Sequence, residues 1–205
     1  HHFKISQKFK NDLEVFFRPI KPYDIRRIQQ MFYSLSTKSV RNRYHGTIKT
    51  MTYEVAQNLT NIDYSKEMAI VGVIGNRGSR KIIAEGRYIY NPNNNMGEFD
   101  IVICEEYQNK GIGTFLANYL TKIAYSRNLS GLYSEILAYN NPAFALFSKA
   151  WPTATKSFDS GLCTFKVKFP EEKSNYPQNS ILIYSGEFNS FSFGDNHPVN
   201  LNRLS

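Results

Sequence analysis

Cysteine is scarce in this chain, with only Cys104 and Cys163 among 205 residues. Two cysteines make no disulfide framework and neither has the paired spacing of a zinc site, so both are expected to be reduced and structural, Cys104 alone lying where an oxidant reaches it. No metal centre is expected. Long apolar runs are lacking as well: nothing approaches the ~20 consecutive apolar residues a membrane helix needs. The N-terminus lacks the charged-then-apolar layout of a secretory signal, and the expected location is cytoplasmic. Negative charge is in deficit, 17 acidic residues against 25 basic ones, for a net charge of +8. Such a balance attracts polyanions. The densest basic region, Arg26, Arg27, Lys38, Arg41, Arg43 and Lys49, comes with no DNA- or RNA-reading motif, which disfavours nucleic acid; a solvated basic face is the commoner reading, with attraction to a polyanionic small molecule or an acidic protein next.

A hydrophobic content of 41% over this length suits one domain with an extension. The most informative stretch is residues 101–114, an apolar strand that passes through a glycine-punctuated turn into an amphipathic helix. Apolar residues at 112, 115, 116, 119, 120 and 123 follow the spacing of a helix with one buried face. Gly111 and Gly113 therefore sit at its first turn, where backbone N–H groups lack acceptors and the helix dipole is positive. That arrangement suits a pyrophosphate, and glycines let it approach the main chain. Two familiar nucleotide motifs fail here: a dinucleotide fingerprint needs glycine where Leu116 stands, and a P-loop needs the lysine after the glycine, whereas Lys110 precedes Gly111.

Elsewhere the pattern reads as strands over residues 15–20, 68–74, 82–90, 96–103, 132–137 and 163–169. Helices are expected over residues 21–35, with Ile25, Ile28, Phe32 and Leu35 buried, over 39–44 and 53–59, over 111–127 and over 142–149. Hairpins in the first half and strand–helix alternation in the second point to a mixed sheet of the α/β (α+β) kind.

The turn Gln108-x-x-Gly111-x-Gly113 resembles the acyl-CoA signature of the Gcn5-related N-acetyltransferase (GNAT) superfamily. Leu137-Ala138-Tyr139-Asn140-Asn141-Pro142-Ala143 is similar to that superfamily's next motif, a strand followed by an Asn-led helix. Segments 17–24, 34–44 and 63–71 are similar in order and spacing to one branch, the acetyltransferase domain of bacterial protein lysine acetyltransferases. The resemblance implies a mixed central sheet flanked by helices and splayed at the acyl-CoA site. It implies a domain over residues 13–170, a loop-rich C-terminal extension over 171–205 with an edge strand near 181–184, and an N-terminal segment 1–12 whose His1-His2 reads as a tag remnant.

The function so implied is transfer of the acetyl group of acetyl-CoA to a primary amine, a protein lysine above all. The alternatives are a small-molecule amine acetyltransferase and a catalytically silent CoA-binding module. Acetyl-CoA contacts are expected from Ile101, Val102, Ile103, Gln108, Asn109, Lys110, Gly111, Ile112, Gly113, Thr114, Asn140 and Phe147. A lysine ammonium must lose a proton before attack, and a positioned carboxylate is the simplest base. Glu98, which leads the strand before the turn as the superfamily's general base does, is the first candidate, and Glu135 the second. Alternation puts Glu98, Asp100 and Val102 on one face and Phe99, Ile101 and Ile103 on the other, so Asp100 is expected to share the site. A backbone N–H freed by an irregularity near Ile101 to Ile103 would meet the oxyanion. Two departures from the family pattern stand out: Phe147 occupies the position of a thiolate-protonating tyrosine, and Trp151-Pro152 replaces Gly-Phe. Ser36, Ser39, Arg43 and Tyr44 match the acceptor side or simply cap a short helix, and His45 beside them is a candidate relay.

Overall fold

Residues 68–73 are apolar at nearly every position, which only a strand covered on both faces can satisfy. In the computed structural model, which describes residues 3–76 and 78–170, that segment lies inside an eight-stranded sheet. The strands are β1 (Ile5–Lys8), β2 (Glu14–Pro19), β3 (Glu67–Ile74), β4 (Lys81–Asn91), β5 (Met96–Ile103), β6 (Gly131–Leu137), β7 (Thr155–Asp159) and β8 (Leu162–Lys168). Their order is β1-β2-β3-β4-β5-β6-β8-β7. Every neighbouring pair is antiparallel except β5 and β6. Helices α1 (Ile25–Ser34), α2 (Thr37–Tyr44) and α3 (Tyr53–Thr60) link β2 to β3. Helix α4 (Ile112–Ser126) links β5 to β6, and α5 (Asn141–Ala150) links β6 to β7. Among the described residues, no helix is long and apolar enough to cross a membrane.

The two faces of the sheet carry separate cores. On one, Ile28 and Met31 of α1 meet Ile20, Ala69, Val71, Val73, Ile82, Val102 and Cys104. On the other, Phe115 of α4 stacks near Phe17, with ring centroids 4.7 Å apart, and Phe147 and Trp151 from α5 and its end close on Phe99. The sorting follows the alternation read from the sequence: Val102 belongs to the first face and Phe99 to the second. Both cysteines are free and buried.

Two strands are additions to the expected pattern. β1 pairs with β2 from Ile5↔Phe17 to Lys8↔Glu14, so part of the segment 1–12 joins the sheet. β7, Thr-Lys-Ser-Phe-Asp, is exposed at every position. Both lie at the margins of the sheet, where a strand needs no apolar face and therefore leaves little periodic signal. The expected strand near 181–184 lies outside the described residues.

Before α1 the chain makes a tight turn over Pro22–Asp24, and a buried ion pair fixes it. Asp24 is fully buried and receives Arg18 in two parallel bonds, Nη1 to Oδ2 at 2.6 Å and Nη2 to Oδ1 at 2.8 Å. The Lys21 N–H donates to the same carboxylate at 2.9 Å, so one side chain closes the turn and locks α1 to the end of β2. Replacing Asp24 with Ala strands a buried guanidinium. Urea unfolding should show a loss of about 3–5 kcal/mol.

Candidate active site at a parting of strands

The parallel pair is short. β5 and β6 are in register only at Met96↔Gly131, Gly97↔Leu132 and Glu98↔Tyr133. Beyond Glu98, β5 continues along β4 as far as Ile103↔Ala84, while β6 continues along β8 as far as Leu137↔Leu162. Each strand keeps its outer partner and loses its inner one. The Cys104 N–H donates to Ile83 O at 2.9 Å, which sets the parity of the β4–β5 ladder. Alternate residues Ile101 and Ile103 therefore turn their N–H and C=O groups into the opening. The free donors were expected from an irregular strand. Instead β5 runs along β4 without a bulge, the register shift in this sheet lying between Gly72 and Val73 of β3, and it is the parting that frees them.

The turn that follows holds the remaining donors. A 3-10 turn at Glu105–Tyr107 leads to Gln108, whose Nε2 donates to Ile103 O at 2.9 Å and ties the turn back to the strand end. Asn109 (φ 58°) and Gly111 (φ 96°) are left-handed, and α4 starts at Ile112. The first bond into the helix is Phe115 N–H to Gly111 O at 3.0 Å. Among the described residues, the N–H groups of 109–114 donate to no acceptor. Consecutive free donors in a bend of this kind, at a helix N-terminus, suit a diphosphate. The pyrophosphate of coenzyme A would suit this cradle, and Asn109, Lys110, Gly111, Ile112, Gly113 and Thr114 would then contribute main chain.

Several expected contacts have other tasks. A Cβ on Gly113 would press on the side-chain ends Leu146 Cδ1 and, at 2.9 Å, Ile103 Cδ1, so the glycine also eases the packing of α4 on α5 and β5. The side chains of Ile112 and Val102 are core. Asn140 caps α5, its Oδ1 accepting the Ala143 N–H at 3.3 Å. Phe147, 1% exposed, is enclosed by Phe99, Trp151 and Phe165, so its ring packs in the core. Trp151 fills that cluster and donates its indole N–H to Thr121 Oγ1 at 2.9 Å, which accounts for the departure from Gly-Phe.

On the opposite face of β5, the acids divide into paired and free. Glu98 is exposed at the last step of register before the parting, and the Tyr133 hydroxyl donates to its Oε2 at 3.2 Å. Asp100 does not stand beside it as a second free carboxylate, because Arg43 of α2 holds it at 2.8 Å. Arg43 also reaches Glu85 at 3.8 Å, and Arg87 binds Glu85 at 2.7 Å and Glu67 at 3.2 Å. Arg87 donates further to Leu59 O at 2.7 Å, so the network joins α2 and α3 to three strands. Burial alone would raise the Glu85 carboxyl, but Arg87 and Arg43 hold it below the ordinary range. Glu135 is exposed on β6, facing Thr164 in register.

The other acceptor-side candidates act structurally. Ser36 caps α2 by accepting the Ser39 N–H at 3.2 Å, and its own N–H and Oγ donate to Glu105 at 2.9 and 2.5 Å. These bonds outweigh the effect of burial and hold the Glu105 carboxyl low. Tyr44 lies under the Arg43 guanidinium, 5.2 Å from ring centre, and His45 ends α2 in a left-handed conformation, exposed. Tyr133 was missed by sequence reasoning. Its one signal is its place on the strand face shared with Glu135.

A row of free main-chain donors beside two parting strands is the arrangement that a diphosphate with an extended acyl arm would fit. The chain belongs to the Acetyltransferase (GNAT) family, whose model matches residues 32–150, and it is an acetyl-CoA-dependent N-acetyltransferase. It is 27% identical over 126 residues to Acetyltransferase PA5475 of Pseudomonas aeruginosa, covering 62% of this chain and 68% of that protein. Its fold is similar to the GNAT domain of S. lividans PAT, with TM-score 0.73 and 19% identity over 82% of this chain and 98% of that one. It is also similar to spermidine N-acetyltransferase from Vibrio cholerae in complex with CoA and spermine, with TM-score 0.60 and 18% identity over 75% and 95% of the two chains.

The ion network gives a prediction with a sign. Arg43→Met removes one cation from Asp100 and buried Glu85, and should cost about 3 kcal/mol in urea unfolding at neutral pH. Because the folded-state Glu85 carboxyl is depressed, its contribution is full above the unfolded carboxyl range and is lost as pH falls through the lowered value. The gap between variant and parent should therefore narrow below about pH 4.

Proposed function

We propose that the chain acetylates the side-chain amine of a protein lysine by direct attack on acetyl-CoA, with Glu98 as general base. The observation that carries this is the free carboxylate of Glu98 at the step where β5 and β6 separate, beside an Asp100 already committed to Arg43. Acetyl transfer needs a held thioester, a deprotonated amine and donors for the developing oxyanion. The free N–H groups of 109–114 supply the first, Glu98 the second and the Ile101 and Ile103 N–H groups the third. The cradle and the carboxylate lie on one strand and its exit turn, so substrate and base share a rigid frame.

Two features support a protein acceptor. Segments 17–24, 34–44 and 63–71 are similar to the protein lysine acetyltransferase branch, and the fold is similar to the GNAT domain of S. lividans PAT. In addition, Asp100, Glu85 and Glu67 are offset by Arg43 and Arg87, which lessens the attraction of this face for a polycation. The second reading, a small polyamine acceptor, is favoured by the exposed carboxylates of Glu98 and Glu135 and by likeness to a spermidine N-acetyltransferase. A cytoplasmic setting goes with either, and two unpaired thiols suit a reducing compartment.

Glu98→Gln should lower kcat by about 10²–10⁴-fold. Acetyl-CoA affinity measured by calorimetry should be unchanged, and the acid limb of the kcat profile should flatten. Turnover equal to the parent would remove Glu98 from the mechanism. Turnover on lysine peptides exceeding that on spermidine separates the two acceptors.

A further inference from the structure

A transferase of this kind must return a proton to sulfur, and the position where many superfamily members carry a tyrosine is Phe147, sealed in the core. The proton has to come from somewhere else. On the other face of β5, the Tyr133 hydroxyl donates to Glu98 Oε2 at 3.2 Å, and Glu98↔Tyr133 is the last step of the parallel pair. A phenol therefore stands where the strands begin to diverge, already bonded to the carboxylate read as the base.

We propose that Tyr133 is the acid of the reaction and that Glu98 and Tyr133 together carry the proton from nitrogen to sulfur. The inference rests on the reading of Glu98 as base. The ammonium first loses one proton through Glu98 to solvent; as the free amine attacks, the C–N bond forms and Glu98, ionised again, takes the second proton from nitrogen. The C–S bond then breaks with its electron pair on sulfur, and Tyr133 gives its proton to the thiolate. Glu98 returns the proton to the phenolate through their existing hydrogen bond. One proton has passed from nitrogen to sulfur, and both side chains end as they began.

The surroundings of the phenol suit the task. It faces Glu98 on β5 and Glu135 on its own strand, Asn91 at the end of β4, and Lys166 opposite it in register on β8. Burial and the adjacent Glu98 charge push the Tyr133 hydroxyl above the ordinary tyrosine range, so it holds its proton at working pH. The phenol is bonded to the carboxylate at the step of register from which the strands diverge.

The test uses the full chain with Tyr133→Phe, an isosteric change, alongside Glu98→Gln. The acceptor is whichever of a lysine-peptide panel or spermidine the parent turns over fastest. Tyr133→Phe should lower kcat by about 10²-fold, leave the KM for acetyl-CoA unchanged and abolish the alkaline limb of the kcat profile. With the selenoester analogue of acetyl-CoA, whose selenol departs without a proton, the Tyr133→Phe defect should shrink while the Glu98→Gln defect persists. Full turnover of Tyr133→Phe with a slow Glu98→Gln would overturn the relay and leave the base reading standing. An equal Tyr133→Phe defect on thioester and selenoester would also overturn it, limiting Tyr133 to orienting Glu98. Full turnover in both variants would remove the base reading along with the relay.

Discussion

A parallel strand pair that separates after three steps leaves two inner edges without partners, and a buried backbone group left unpaired costs about 1–3 kcal/mol. Such an opening persists only where the outer edges are held firmly and the gap has its own support. Here β4 holds β5 in unbroken register and β8 holds β6 along its length. From the opening, Ile103 O is satisfied by the Gln108 amide, which turns a potential liability into the anchor of the diphosphate turn. The donors that remain on β5 and its exit turn, at Ile101, Ile103 and residues 109–114, are those that a thioester and a diphosphate would use. Main-chain groups left open at the parting are thus ones that a ligand there would satisfy.

The second constraint is electrostatic. Three carboxylates, Asp100, Glu85 and Glu67, meet two guanidiniums, Arg43 and Arg87, between the sheet and the helices on one face. Each arginine serves two acids, a bridging role that its planar, multi-donor head supports better than a lysine would. The pairing matters to the site because α2 and β5 are joined there, two residues beyond Glu98. With Asp100 committed to Arg43, Glu98 has a hydrogen-bond partner, Tyr133, and no paired cation among the described residues. The pairs offset part of the burial penalty on these charges and fix the geometry of the junction.

Much of this was legible in the sequence, for a consistent reason. The strand 96–103 and the helices 53–60 and 112–126 carry strong apolar periods or clear stops, and the diphosphate turn carries its glycines in the open. What was not legible depends on partners distant in sequence. β1 and β7 are edge strands with almost no buried face, so no period marks them. Gln108, Asn140 and Gly113 read as ligand contacts, yet their positions are explained first by Ile103, Ala143 and Leu146. The source of the free donors was misjudged because a bulge is a local event, whereas the parting of β5 from β6 is decided by which neighbour each strand keeps. Tyr133 escaped notice for the same reason: only the register Glu98↔Tyr133 brings it to the carboxylate.

The missing hydroxyl at residue 147 follows from packing. Phe147 is enclosed by Phe99, Trp151 and Phe165, and Trp151 is itself pinned by its bond to Thr121 on α4. A hydroxyl added to that ring would enter apolar surroundings and cost about 1–3 kcal/mol unless it found a partner. The aromatic cluster and a phenolic acid on α5 are therefore alternatives, and this chain has the cluster. Once α5 is closed in this way, residue 147 carries no proton. The other face of β5 has both a free carboxylate and a phenol in contact with it. Substituting tryptophan for a small residue at the end of α5 and shifting acid–base chemistry to the β5–β6 register are, on this argument, two consequences of one packing choice.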